Sequence, residues 1–315
     1  MRSAPSSPLN ATPGREPQVA LLAGGRLHLQ DGPIDLVIGA DGPAALVRQA
    51  YDDAIAQFTG LLGTLCTELP VLRAAASPDL CTAQGAVARS MWNAVRPFAG
   101  DMFITPMAAV AGAVAGHVLS ALARPGLTRA YVNNGGDIAL YLAEGADFTV
   151  GLVDRPDRPS LTGTARIDFA SPVRGIATSG WRGRSFSLGI ADAVTILAPT
   201  AAMADAAATV VANAVDLPDH PLVLREPACE FQPDTDLGMR AVTRHVPPLS
   251  AAEKQQALEA GLACARDLVR RGLICAAALH LQGETASTGL SLPAPATAGA
   301  RPFPAPHRQE GRLHA

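Results

Sequence analysis

"YVNNGGDIAL", residues 131–140, joins two apolar, β-prone runs through a polar, flexible centre of Asn133, Asn134, Gly135, Gly136 and Asp137. Glycine, asparagine and aspartate are depleted inside strands, so the centre needs a separate reason. Asn-Gly is a leading two-residue hairpin signal, and a hairpin here would make the flanking strands antiparallel. A ligand is the other reason. Adjacent glycines let a ligand lie close to the backbone, and their N–H groups can form an anion nest. Asn and Asp side chains can orient polar groups on that ligand. A turn and a ligand wall are compatible readings of the same residues.

Working outward, strand-like runs fall at 129–133, 137–142, 148–153, 163–169, 174–179 and 193–198, with short polar connections. The glycine-interrupted stretch "VALLAGGRLHLQDGPIDLVIGA" reads as an opening meander, and "LICAAALHLQG" as a last strand. Helices are expected from Pro43 to about Ala76 with breaks near 60–63 and Pro70, and from Gly85 to Val95. Another begins at Thr105-Pro106, with Thr105 as N-cap, and runs to Ala123. Its two faces, Met107/Ala111/Val114/Val118 and Gly112/Gly116/Ser120, are both small or apolar, which predicts burial on two sides. Helices also read over 200–215 and from Ser250, where Glu253 completes a capping box. The stretch 217–248 reads as irregular. A block of consecutive strands among helices predicts an α+β fold, an antiparallel sheet layered with helices.

The 315 residues allow one large domain. We expect a disordered N-terminus over 1–16, one α+β domain over 17–283 and a disordered Pro/Ala-rich tail over 284–315. The net charge of −3 offers no basic surface for nucleic acid, so none is expected as a partner. Five cysteines, an odd number with no C-x-x-C pair, argue against a disulfide framework or zinc site. The N-terminus lacks a signal-peptide core, and the longest apolar run, "PMAAVAGAVAGHVLSALA", is short for a membrane span and carries His117. A cytoplasmic protein without membrane contact is expected. Whether it forms a homodimer stays open.

Two further stretches could carry chemistry. In "GIATSGWRGRSFSLGIADAV", Thr178, Ser179 and Gly180 end a strand, and Arg182 and Arg184 could cradle a phosphate or carboxylate. Asp192 there is a metal ligand, an acid or a turn residue. In "APTAAMADAAATVVANAVD", Asp205 and Thr209 share a helix face, and their oxygens suit magnesium. The bland alternative is an amphipathic surface helix, with Asp216 on the polar side. No nucleophile elbow, dinucleotide fingerprint or Walker loop occurs.

The order Asn-Gly-Gly-Asp (134–137), Ala-Thr-Ser-Gly (177–180), Ala-Asp-x-x-x-Thr (204–209) resembles the ApbE family, the FAD:protein FMN transferases, and most of all an ApbE-like branch of that superfamily. The resemblance covers about Ala20 to Gly283. It implies an ApbE-like, T-fold-related sheet. It implies a flavin nucleotide site lined by Asn134, Gly135, Gly136, Asp137, Thr178, Ser179 and Gly180, and Mg2+ on Asp205 and Thr209. The expected ligand is FAD, FMN or another nucleotide or acidic small molecule, and the chemistry is FMN transfer or FAD hydrolysis. The chain departs from the transferases where they carry Asp-Leu-Gly…Lys-Gly. Here that helix reads "TPMAAVAGAVAG". It also lacks their His-Ile-x-Asp-Pro-x-Thr-Gly segment, of which "SFSLGIAD" is left. Catalytic residues are therefore unassigned. A metal-independent enzyme on another substrate and a non-catalytic binder of flavin or a small ligand are the alternatives.

Overall fold

The computed structural model describes residues 16–155 and 161–289. Strands β1 (Gln18–Leu22), β2 (Arg26–Asp31) and β3 (Ile34–Asp41) form the opening meander. Helices α1 (Ala44–Phe58), α2 (Leu61–Thr67), α3 (Leu69–Leu72), α4 (Ala86–Val95) and α5 (Val110–Leu122) follow. The strand block comprises β4 (Arg129–Asn134), β5 (Asp137–Leu142), β6 (Asp147–Val153), β7 (Leu161–Asp168), β8 (Gly175–Ser179) and β9 (Ala193–Ala198). The chain continues through α6 (Ala201–Ala214), β10 (Leu224–Pro227), β11 (Ala241–His245), α7 (Ala251–Arg270), β12 (Ala276–Leu281) and β13 (Glu284–Thr288).

Nine strands make one sheet in the order β1-β2-β3-β4-β5-β8-β9-β12-β13, and every neighbouring pair is antiparallel. The protein is thus α+β, with a large antiparallel sheet and several helices. Strand alternation divides its side chains between two cores. Val132, Ala139, Ala177, Val194 and Leu279 face the helices. Leu140, Ile176 and Leu197 face the other way, towards Ala165 and Ile167 of the β6–β7 hairpin. β9 and β12 are buried along their whole length because both faces are covered.

Helix α6 packs against α5, α7, β8 and β9, so the surface-helix alternative does not hold for it. Its alanine-rich sequence is what permits this depth. A Cβ at Gly112 of α5 would lie 2.2 Å from the carbonyl oxygen of Ala201, and one at Gly175 of β8 would lie 2.2 Å from the nitrogen of Ala201. The start of α6 is wedged between these two glycines, and Thr200 caps it by accepting the N–H of Met203 at 3.2 Å. α7 starts with the expected capping box: Ser250 and Glu253 each accept the other's backbone N–H, at 3.3 and 2.7 Å. A box of this kind contributes about 1 kcal/mol.

Four expectations change. Thr105 precedes Pro106 in extended conformation, but its hydroxyl donates to the carboxylate of Asp236 and does not cap, because a stronger acceptor lies within reach. The first turn after it is a 3₁₀ turn, Pro106–Ala109, before α5 proper. The irregular stretch holds a two-stranded sheet, β10–β11. The expected tail over 284–315 opens with a strand instead, because Gln282 and Gly283 both take positive φ and turn β13 back onto β12. The rest of that tail from 290, and the expected disordered segment up to residue 15, lie outside the described residues.

Candidate functional site

The hairpin read from "YVNNGGDIAL" is present. Asn134 pairs with Asp137 across a two-residue turn in which Gly135 and Gly136 have φ of 65° and 120°. Both lie in a region that favours glycine, and Asn133 Oδ1 accepts the N–H of Gly136 at 2.8 Å to close the turn. A Cβ at Gly136 would meet only open space, so this side of the turn is accessible. Gly135 is the seat of a different group: a Cβ there would crowd Arg184 Nη1 at 3.2 Å.

Alternation puts Asn134 and Asp137 on the helix side of the sheet, with Val132 and Ala139. There they meet α5. Asn134 Nδ2 donates to the carbonyl of Ala111 at 3.1 Å. On the next residue, the N–H of Gly112 donates to Asp205 Oδ2 at 2.9 Å, and the N–H of Ala111 also points to that carboxylate. Asp205 therefore reaches from α6 into the seam between α5 and the hairpin. The close approach at Gly112 and Ala201 is what brings α6 near enough.

Asp137 and Asp205 are each half-buried as residues, while their carboxyl groups sit deep and close enough to repel. Burial pushes the Asp137 carboxyl up to about 7, against opposing pulls from the Thr178 N–H and the Arg184 guanidinium. Burial, and next the charge of Asp137, raises Asp205 well above the carboxylate range, against the N–H groups of Gly112 and Ala111. Two like charges in a poorly solvated seam share the available protons as a pair.

The second motif divides between the two sheet faces. Thr178 gives the site only its backbone N–H, 3.3 Å from Asp137 Oδ1. Its hydroxyl points to the opposite face and pairs with Thr195 Oγ1 at 2.9 Å. The expectation that its side chain lines the pocket fails because side chains alternate strictly along β8. Ser179, one residue on, takes the face of the carboxyl pair. Gly180 is a packing residue, since a Cβ there would lie 2.6 Å from the carbonyl of Asp192.

The two arginines separate as well. Arg182 is committed: its Nε lies 2.5 Å from the buried carboxylate of Asp192, and its guanidinium stacks 4.3 Å over the Trp181 ring. Asp192 also accepts the N–H of Gln282 at 2.5 Å, a role outside its three sequence readings: its carboxylate anchors one loop to another. Arg184 stays exposed and donates to the carbonyl of Pro33 at 3.2 Å.

Thr209 follows Asp205 by one helical turn and is half-buried. One further turn on is Asn213, which the motifs did not single out. Its Oδ1 accepts the Leu188 N–H at 2.9 Å and the Ser187 hydroxyl at 3.2 Å. Asn213 thus ties the end of α6 to residues 187–188, and its i, i+4 spacing from Thr209 was the available signal.

Among the described residues, no group of three or more His, Cys, Asp or Glu could hold a metal ion. The acidic groups at the pair are two carboxyls, and Thr209 lies one helical turn beyond Asp205. A cavity of about 480 Å³ lined by Arg89, Asn93 and Thr200 and one of about 320 Å³ lined by Gln255 and Glu284 both lie off the pair. The five cysteines are free and half-buried. No described helix is long and apolar enough to cross a membrane.

Fold and site together define an α+β protein with an acidic pair at the seam between its central sheet and two buried helices. A family model described as AbpE bacteria matches residues 19–287, and the chain belongs to that family. It is similar to a UPF0280 protein of Methanosarcina acetivorans, 31% identical over 216 residues that span 65% of this chain and 77% of that one. A UPF0280 protein of Methanopyrus kandleri is 37% identical over 155 residues, which span 49% of this chain and 59%, under two thirds, of that relative. The crystal structure of the flavinyl transferase ApbE of Pseudomonas stutzeri, in its apo form, matches with a TM-score of 0.39 at 14% identity, over 88% of this chain and 96% of that one.

Proposed function

We propose that the protein is an ApbE-like enzyme that binds a nucleotide or another acidic small molecule beside a magnesium ion at Asp205 and Thr209. FMN transfer and FAD hydrolysis are the reactions that family resemblance suggests. The observation that carries the reading is that Asp205, held on α5 by the Gly112 N–H, comes close enough to Asp137 of β5 for their charges to interact.

Magnesium is usually held by one or two carboxylates together with substrate phosphates, so a site with fewer than three acidic protein ligands suits it. The donor set fits. Both carboxyls are held above their ordinary range by burial, and in Asp205 also by the charge of Asp137, which a divalent cation would relieve. When bound, the ion would supply charge neutralisation at a phosphate. The protein's own residues do the positioning. Gly112 and Ala111 fix the Asp205 carboxylate, Asn134 ties the hairpin to α5, and Gly135, Gly136, Ser179 and the Thr178 N–H form the adjoining wall. Gly180 and Asp192 hold that wall in place. Nothing in this donor set is particular to flavin.

The test is a thermal-shift screen of FAD, FMN, other nucleotides and small acids, with and without magnesium, on the wild type and Asp205→Ala. A nucleotide shift that needs both magnesium and Asp205 supports the reading. Equal metal and nucleotide binding by Asp205→Ala refutes it.

A second reading, a metal-independent enzyme or a non-catalytic ligand-binding protein, is favoured by the uncharged start of α5, "TPMAAVAGAVAG". Magnesium-independent turnover would support the first form. Bound ligand without turnover would support the second.

A further inference from the structure

We propose that the cavity between α4 and α6 is a second binding site, and that it takes a small organic acid by its carboxylate. This site is separate from the carboxyl pair and needs no metal.

Three observations carry it. First, the cavity holds about 480 Å³, within the range of pockets that bind small molecules. It exists because its walls are short: Ala86 of α4 and Ala202 of α6 line it, where longer side chains would take up the space. Second, its polar lining is a single stripe. Arg89, Ser90 and Asn93 follow Ala86 on α4 at a spacing of three, four and seven residues, so one helix face carries all four. Thr200 lines the cavity from the start of α6. Its hydroxyl oxygen already accepts the Met203 N–H at 3.2 Å, which leaves its proton to donate. Third, the stripe is uncommitted. Among the described residues, the side chains of Arg89, Ser90 and Asn93 have no hydrogen-bond or ion-pair partner. The next arginine along shows the contrast: Arg96 donates to the Pro78 carbonyl at 3.1 Å and lies over the Trp92 ring. Ala86, Arg89 and Asn93 are exposed, so the cavity has an open mouth.

Charge and shape then select the ligand. Arg89 is the charged group of the lining, and among the described residues no carboxylate lines the cavity. A guanidinium matches a carboxylate in charge and in planar, bidentate geometry. A phosphate monoester carries a charge of about −1.5 to −2 at neutral pH, which a single arginine leaves partly uncompensated. The carboxylate group alone occupies little of the volume. The remaining space lies against Ala86, Ala202 and Met203, so the acid carries an apolar body. Ser90 and Asn93 offer hydrogen bonds to a hydroxyl or amide on that body.

The experiment is a ligand-observed NMR titration of the full chain with benzoate and with hexanoate, in chelated buffer. Benzamide serves as the neutral match for benzoate, and inorganic phosphate as an anion without an apolar body. The proteins are wild type, Arg89→Gln and Ala86→Leu. Both changes are at exposed helix positions, and unchanged thermal unfolding of the variants verifies folding. Wild type should bind at least one of the two acids saturably, and more tightly than benzamide or phosphate. Arg89→Gln should lose about 10- to 100-fold in affinity for that acid, as expected for charged hydrogen bonds. Ala86→Leu keeps Arg89 but narrows the cavity, and should weaken binding as well. Added magnesium should change nothing. No saturable binding of either acid, equal binding of benzamide or phosphate, or unchanged affinity in Arg89→Gln would overturn the proposal. Unchanged affinity in Ala86→Leu would place the acid outside the cavity, and a requirement for magnesium would place it at the carboxyl pair; either result overturns the proposal too. Failure of the magnesium reading leaves these outcomes in place, since no arm depends on Asp205.

Discussion

The Asp205 carboxylate accepts the backbone N–H of Gly112 at 2.9 Å, and Gly112 is also where α5 and α6 touch backbone to backbone. One glycine thus sets both the helix packing and the position of the acid. Packing and site geometry should therefore fail together.

Gly112→Ala tests that coupling. The added methyl would meet backbone, which cannot rotate away, so α5 and α6 must separate. We expect destabilisation of about 1–3 kcal/mol or more, as for overpacked cores. A urea midpoint unchanged from wild type would show that the seam is looser than described.

The carboxyl pair predicts an inverse pH dependence for metal-free protein. An aspartate in the unfolded chain titrates near 4, and Asp137 in the folded chain at about 7. The folded state binds the proton more tightly, so this contribution is whole below about pH 4 and is lost as pH rises towards about 7. Asp205 acts in the same direction. Melting temperature should fall across this window, and Asp137→Asn should flatten the fall. A rise in wild-type melting temperature over the same window would contradict the assignment.

Magnesium should reverse that loss. At pH 8 it should raise the melting temperature of wild type, by an amount equivalent to about 2.7 kcal/mol at a hundredfold excess over its dissociation constant. Asp205→Asn keeps an acceptor for Gly112 but removes a repelling charge. Without metal it should melt above wild type at pH 8, and magnesium should no longer shift it. Differential scanning fluorimetry in chelated and magnesium buffers reads both effects.

Asp192 makes a separate, structural prediction. It is buried and holds both Arg182 and the Gln282 N–H. Asp192→Ala should cost about 3–5 kcal/mol, the range for removing one partner of a buried pair. Denaturant unfolding measures this. A loss below 1 kcal/mol would mean that the two loops hold without their anchor.

Much of the fold was legible in the sequence. Asn134-Gly135-Gly136-Asp137 specified its hairpin because few residues tolerate positive φ, and the six strand runs appear close to their expected bounds. Ser250 and Glu253 announced a helix start because a cap is a local event. The cap at Thr105 misled for the complementary reason. Its hydroxyl has a partner, Asp236, 131 residues away, and no local pattern reveals it.

The candidate site shows the same division. Residue types and spacing by themselves set the hairpin, the alternation of β5 and β8, and the face shared by Asp205 and Thr209. These follow from backbone geometry with periods of 2 and 3.6. Only the tertiary structure decided that Asp137 and Asp205 meet, that Thr178 offers its N–H while its hydroxyl faces away, and that Arg182 is engaged while Arg184 is open. Those outcomes depend on which strands neighbour each other and on how closely two glycines let α6 approach. They are set by packing across long sequence separations, and periodicity carries no information about that.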